Sequence, residues 1–141
     1  MPANTTPIFV IRGATSSTVR INASNTASDG SGTLYTLITA GTDGTRVDSV
    51  RFRNASTGVT ASSNMLHRIF LTDNAGTNPR LIGEVATATA TRNNTTVVGA
   101  TSIFTFDQPL IMTTGQLLRV AQSAYAGIQD QVDAFAYAGD F

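Results

Sequence analysis

The chain contains no cysteine, no tryptophan and no lysine, and it has a single histidine among its 141 residues. Without cysteine it can form neither disulfides nor thiolate metal sites. Only 13% of the residues are charged, and nine acidic residues balance nine arginines. The usual charged share of a globular domain is ~25%. A net charge of zero gives no general attraction to nucleic acid or to an anionic membrane, so we expect neither as a partner.

Long hydrophobic runs are also missing. No segment approaches the ~20 apolar residues that a transmembrane helix needs. The first ten residues, MPANTTPIFV, lack the basic segment and apolar run of a secretory signal, so we expect no signal peptide. A chain of this length can bury a core of its own. We therefore expect a polar arm over residues 1–7, bracketed by Pro2 and Pro7, and a single domain over residues 8–141.

Threonine is abundant, with 23 copies, and it favours strands over helices. Most apolar residues alternate with polar ones, and Gly/Asp/Asn turn signals recur between these segments, as in an antiparallel β-sandwich or barrel. We predict eight or nine strands and no helix. The predicted strands are Ile8–Ile11, Val19–Asn22, Leu34–Thr39, Val47–Arg53, Leu66–Thr72, Arg80–Val85, Thr96–Phe106 with a break near Gly99, Leu117–Ala121 and Val132–Ala138. Pro109 should end a strand or lie in an edge strand.

Two predicted strands carry apolar residues on both faces. In the segment 66–72, Leu66 and Phe70 point one way while Ile69 and Leu71 point the other. In the segment 103–106, Ile103 points opposite to Phe104 and Phe106. Such a strand must be covered on both sides. Because surface charge is scarce, we expect a subunit interface to cover the second face, and hence a homo-oligomer.

No residue pattern indicates catalysis. His67 lies in the middle of a strand, where a packed histidine is the simpler interpretation than a general base. Glu84 is expected to face solvent, and the close carboxylate pairs Asp43/Asp48 and Asp130/Asp133 are expected at turns. We predict that the protein is not an enzyme and has no catalytic residues.

Metal and cofactor sites are not indicated either. The loop Asp73–Asn78 offers oxygen ligands, but it lacks the spacing of a calcium loop and is better interpreted as a hairpin turn. Glycine-rich phosphate loops and HExxH motifs are absent from the sequence. Arg46, Arg51 and Arg53 form a basic stripe without aromatic stacking partners beside it. This favours docking onto an acidic protein surface over binding of single-stranded nucleic acid.

Several segments resemble small structural proteins of tailed bacteriophages, the capsid decoration or cement proteins. They are AGTDGTRVDSVRFR at 40–53, RIFLTD at 68–73, RLIGEV at 80–85, PLIMTTGQLLRV at 109–120 and the final AGDF at 138–141. The resemblance covers the chain from Ala40 onward. It implies an all-β, jelly-roll-like antiparallel sandwich, often trimeric, that binds the major capsid protein and stabilises the outer surface of the capsid.

This resemblance transfers no catalytic, cofactor or metal residues. The candidate contacts with the capsid or with other subunits are Pro2 and Pro7 of the arm, the outward Arg51 and Arg53, and the C-terminal Phe141. We expect a homotrimer located on the virion. The alternative is a head-fibre or tail-associated module that binds host glycans.

Overall fold

The computed structural model describes residues 12–13, 18–55, 61–89, 91 and 101–141. Nine strands and one 3₁₀ turn, Ile128–Asp130, make up the regular structure of this part. The strands are β1 Arg12–Gly13, β2 Thr18–Ile21, β3 Tyr35–Thr39, β4 Thr45–Asn54, β5 Met65–Leu71, β6 Arg80–Thr87, β7 Thr101–Met112, β8 Leu117–Gln122 and β9 Val132–Asp140. Predicted strand Ile8–Ile11 and residues 96–100 lie outside the described residues.

The strands form two antiparallel sheets packed face to face. Sheet A has the order β1-β9-β4-β7, with β2 also paired to β9, and sheet B has the order β3-β8-β5-β6. One cluster of buried residues from both sheets forms the core between them. The predicted all-β antiparallel sandwich is therefore confirmed, whereas the jelly-roll connection stays a prediction.

Alternation of buried and outward residues explains why these segments are strands. On β4, Val50 and Phe52 are fully buried, while Arg51 and Arg53, which alternate with them, point outward. On β9, Val132 and Ala134 are fully buried and Asp133 lies on the opposite face. A period of two places one face of each strand in the core.

Pro109 does not end its strand, because β7 continues through Met112. It lies at the edge of sheet A, in the part of β7 where pairing with β4 shifts register. Val47 pairs with Leu110 and Ser49 with Thr105, so residues 106–109 bulge out of the ladder. An edge position tolerates proline because no neighbouring strand needs its missing N–H. The edge alternative of the prediction is thus confirmed.

Residues 24–33, which we call the strap, run across the outer face of sheet B. Asn25 N–H donates to Gln122 O of β8 at 2.8 Å, and Arg68 Nη1 of β5 donates to Asn25 O at 3.3 Å. The backbone of Gly30 lies against Pro79, just before β6, where a Cβ would come within 2.4 Å of the Pro79 carbonyl oxygen. The strap thus contacts β8, β5 and the start of β6.

This arrangement corrects one sequence-based expectation. Phe70 points away from the core, yet it is fully buried within the single chain. A neighbouring subunit is therefore not needed to cover Phe70, and the predicted homo-oligomer draws no support from it. Glu84 is exposed, as expected, and its carboxylate also accepts from Arg68 Nε at 2.8 Å.

Close approach of the two sheets depends on Gly83 of β6. A Cβ at this position would lie 2.5 Å from Cζ of Phe104 on β7. We expect Gly83→Ala to lower the free energy of unfolding by about 1–3 kcal/mol, since the phenyl ring must be displaced in a packed interior. Chemical denaturation measures this change. Ala86→Val on the exposed side of the same strand is the control, and equal stability of the two variants would contradict the prediction.

Candidate protein-binding face

The outer face of sheet A carries the candidate site. Five outward side chains of β4, β7 and β9 form what we call the Arg51 face: Arg51, Arg53, Ile103, Phe135 and Tyr137. The strand register sets Arg51 directly opposite Ile103 on one side and Phe135 on the other. Because directly opposed residues have their Cβ atoms about 5 Å apart, these three side chains form one continuous row.

Much of the exposed apolar surface lies on this side of the sandwich. Ile103 is 48% exposed and Tyr137 is 49% exposed. Ile111, which is 53% exposed, lies further along β7 opposite Arg46. These are three of the five large hydrophobic residues that are exposed in the described part of the chain. Single exposed hydrophobics are ordinary, but a cluster on one sheet face indicates an interaction surface.

Among the described residues, no ion pair neutralises the two arginines of the Arg51 face. Two ion pairs border the face, Arg20–Asp133 and Arg46–Asp48. In the first, Arg20 Nε and Nη2 donate to the two carboxylate oxygens at 2.8 and 3.0 Å. This hydrogen bonding raises the pKa of Arg20. Arg51 and Arg53 take part in none of the ion pairs among the described residues.

Arg51 is the central residue of the face. Its guanidinium carbon lies 5.3 Å from the centroid of the Tyr137 ring, which is the distance of a cation–π contact. Its Nε is buried and has no hydrogen-bond partner among the described residues. A buried donor without an acceptor costs about 1–3 kcal/mol. An arginine beside aromatic and aliphatic side chains is the usual composition of an interface hot spot.

The predicted contact residues are brought together only in part. Arg51 and Arg53 lie two residues apart on one face of β4, as their outward alternation indicated. Phe141 lies at the far end of sheet A, where its N–H donates to Gly44 O at 3.2 Å. It is six residues beyond Phe135 along the chain, or about 20 Å at the rise of a strand. Pro2 and Pro7 lie outside the described residues.

Sequence reasoning missed the apolar half of the face. The expectation that no aromatic side chains lie beside the basic stripe is wrong, because Phe135 is opposite Arg51 and the Tyr137 ring is in contact with it. Ile103 was assigned a direction opposite to Phe104, but nothing placed it beside Arg51, because their pairing joins segments that are 52 positions apart. Phe135 and Tyr137 carried the signal of outward alternation on β9. The missing information was which strands are neighbours in the sheet.

His67 is packed in the core, as predicted, and is not placed for catalysis. It is fully buried, and its ring stacks on Phe52 of the opposite sheet with centroids 4.4 Å apart. Its Nε2 lies 2.8 Å from Thr87 Oγ1, which in turn contacts Ser102 Oγ. Burial lowers the pKa of His67 from 6.5 to about 4. A substrate cannot reach this imidazole without opening the sandwich.

The loop at Asp73–Asn78 is closed by its own donors. The Asp73 carboxylate accepts hydrogen bonds from the backbone N–H groups of Ala75 and Thr77, from Thr77 Oγ1 and from Asn78 Nδ2 at 2.7–3.1 Å. These bonds, that from the Thr77 N–H foremost, lower the pKa of Asp73. Its oxygens therefore already have donors, as the hairpin interpretation requires, and are not directed at a cation site.

No cluster of three or more histidine or acidic residues suited to a metal occurs in the part of the chain that the structure describes. Within the same part, no helix is long and apolar enough to cross a membrane. Comparisons with protein-family models, with curated proteins and with solved structures found no match to this chain.

Proposed function

We propose that the chain is a structural virion protein, a decoration protein that binds the outer surface of a tailed-phage capsid as a homotrimer and stabilises it. The observation that carries this proposal is the Arg51 face, on which two arginines that have no ion-pair partner in the described part of the chain adjoin exposed Ile103 and Tyr137. Such a face is suited to binding another protein. The segments that resemble cement proteins add the capsid as the specific partner.

The character of the described residues supports a binding role over a chemical one. The imidazole is enclosed in the core, and Asp130 is fully buried, where it accepts hydrogen bonds from Ser63 and Ala126. A lattice-binding protein needs no catalytic centre, because many copies on a repetitive surface give strong attachment from individually modest contacts.

The deciding experiment is the copy number of this chain in purified particles of the virus that encodes it. Quantitative mass spectrometry against the major capsid protein gives the ratio. We expect a ratio close to parity, because a decoration protein occupies the whole lattice. Absence of the chain from the particles would overturn the proposal.

A second candidate is a fibre or tail module that binds host glycans. It is favoured by a shallow depression on sheet A lined by Thr18, Val19, Arg20, Asp133 and Phe135. An aromatic ring beside polar side chains suits a sugar, since pockets combine an apolar wall with a few polar groups. A low copy number together with saturable binding to a glycan panel would favour this function over the first.

A further inference from the structure

We infer that the Arg51 face recognises an acidic protein surface, one whose carboxylates meet Arg51 and Arg53 and whose apolar side chains meet Ile103, Phe135 and Tyr137. This inference rests on the proposed function and names the chemistry of the partner surface. It goes beyond that function by assigning the contact to one sheet face and to two guanidinium groups.

Charge is the first argument. Among the described residues, the outer face of sheet A and its bulged edge carry four arginines against three aspartates, Asp48, Asp107 and Asp133. Asp48 and Asp133 are already paired and the exposed Asp107 lies in the bulge at residues 106–109, so the face presents one net positive charge although the whole chain is neutral. Buried interface arginines pair most strongly with carboxylates, because the guanidinium fork matches both oxygens. A carboxylate of a docked partner would thus give Arg51 and Arg53 the negatively charged partners that they lack among the described residues.

Spacing is the second argument. Arg51 and Arg53 alternate on one strand, so their attachment points lie about 7 Å apart. Two carboxylates on alternate residues of an extended partner segment have the same separation. The row Phe135–Arg51–Ile103 then offers apolar contacts on both sides of the central guanidinium. The face therefore fits an extended acidic segment in which apolar residues accompany the acids.

Two other occupants fit less well. Single-stranded nucleic acid needs open ring faces for stacking, but Arg51 already lies over the Tyr137 ring. A second copy of this chain meeting the same face would set Arg51 and Arg53 against the same unpaired positive charges, which disfavours an isologous contact.

The test is a titration of the full chain, followed by ¹H–¹⁵N spectra of the arginine Nε–H groups at neutral pH and low salt. The probe is a capped peptide that alternates valine and glutamate, and the comparison probe has glutamine at each glutamate position. We expect the glutamate peptide to shift the Arg51 and Arg53 signals and to leave Arg80 unchanged. Arg80 is an exposed arginine of sheet B without an ion pair among the described residues, so it is the matched control.

Four variants test how much each guanidinium group contributes to binding of the glutamate peptide. Arg51→Gln and Arg53→Gln should each weaken the apparent affinity for the glutamate peptide by about fivefold, the upper range for one exposed ion pair. Arg80→Gln should leave it unchanged. Arg51→Lys keeps the charge but removes the fork, so an intermediate loss separates bidentate recognition from simple attraction. Matching amide spectra away from β4 establish that each variant is folded.

Three results would overturn the inference: equal shifts with the glutamine peptide, equal effects of Arg80→Gln, or stronger binding of a short oligothymidylate. Self-association that disappears in Arg51→Gln, measured by light scattering, would also overturn it in favour of a second copy. Failure of the proposed function is a separate result, since it appears as absence of the chain from virus particles. The peptide titration does not depend on that measurement.

Discussion

Acidification from pH 7 to pH 4 is expected to lower the free energy of unfolding by about 3 kcal/mol through His67 alone. Burial lowers the folded-state pKa of this imidazole from 6.5 to about 4. Between these two values the unfolded chain binds a proton that the folded chain does not bind. Stability is therefore fully present above pH 6.5 and is lost as the pH falls towards 4.

The surroundings of His67 explain why a proton is so unfavourable there. One face of the ring stacks on Phe52, and Nδ1 is buried without a hydrogen-bond partner. Protonation would place a charge between two sheets with only the Thr87 hydroxyl in contact at Nε2. The pKa of Asp73 is lowered from 3.8, so the contribution of this carboxylate to stability is lost only at more acidic pH. The pH range in which His67 acts is therefore separate.

Chemical denaturation at a series of pH values measures this effect in the wild-type protein and in His67→Gln. The glutamine amide retains a group that can hydrogen-bond to Thr87 but does not titrate. We expect the variant to be less stable at pH 7 and to show little slope between pH 6.5 and 4.5. A slope as steep as that of the wild type would assign the acid sensitivity to another group. An NMR titration of the imidazole C–H signals gives the folded-state pKa directly.

Most of the fold could be predicted from the chain because its strands obey a period of two. In β4 and β9, buried and exposed residues alternate so regularly that the strands and the direction of Arg51 and Arg53 followed from the sequence. In β2–β6, β8 and β9 the boundaries shifted by at most two residues, whereas β7 extends six residues beyond its predicted end to Met112. There the bulge at residues 106–109 interrupts the pattern without ending the strand.

The rest depended on contacts between distant segments. The strap has no apolar periodicity, since it is held by polar groups such as the Asn25 amide, which donates to Ser31 O and Thr33 O. Nothing in the sequence indicates that it crosses sheet B, and so Phe70 was interpreted as an interface residue. The Arg51 face was half predictable for the same reason: alternation gives the direction of each side chain, but only the strand order gives its neighbours.

The second large effect is expected at Asp130, since Asp130→Ala should lower the free energy of unfolding by about 3 kcal/mol. The carboxylate is fully buried and accepts from Ser63 N–H at 2.7 Å, from Ser63 Oγ at 3.1 Å and from Ala126 N–H at 2.7 Å. Alanine would leave two backbone donors without an acceptor. It would also release the loop that follows β8 from the segment that precedes β5.

Asp130→Asn separates the hydrogen bond that this side chain accepts from Ser63 N–H from the one that it accepts from Ala126 N–H. The amide oxygen can still accept from Ser63 N–H, but the NH₂ group cannot accept from Ala126 N–H. We therefore expect a free energy of unfolding between that of the wild type and that of the alanine variant. Asp29→Ala is the matched control. Because Asp29 accepts from Ser31 in an exposed turn, its loss should change the free energy of unfolding little. Denaturant midpoints of the three variants provide the comparison. Equal effects of the Asp29 and Asp130 substitutions to alanine would mean that water replaces the carboxylate, and that the loop is held instead by Asn54 and Gln122, which donate to Gln129 O and Asp130 O.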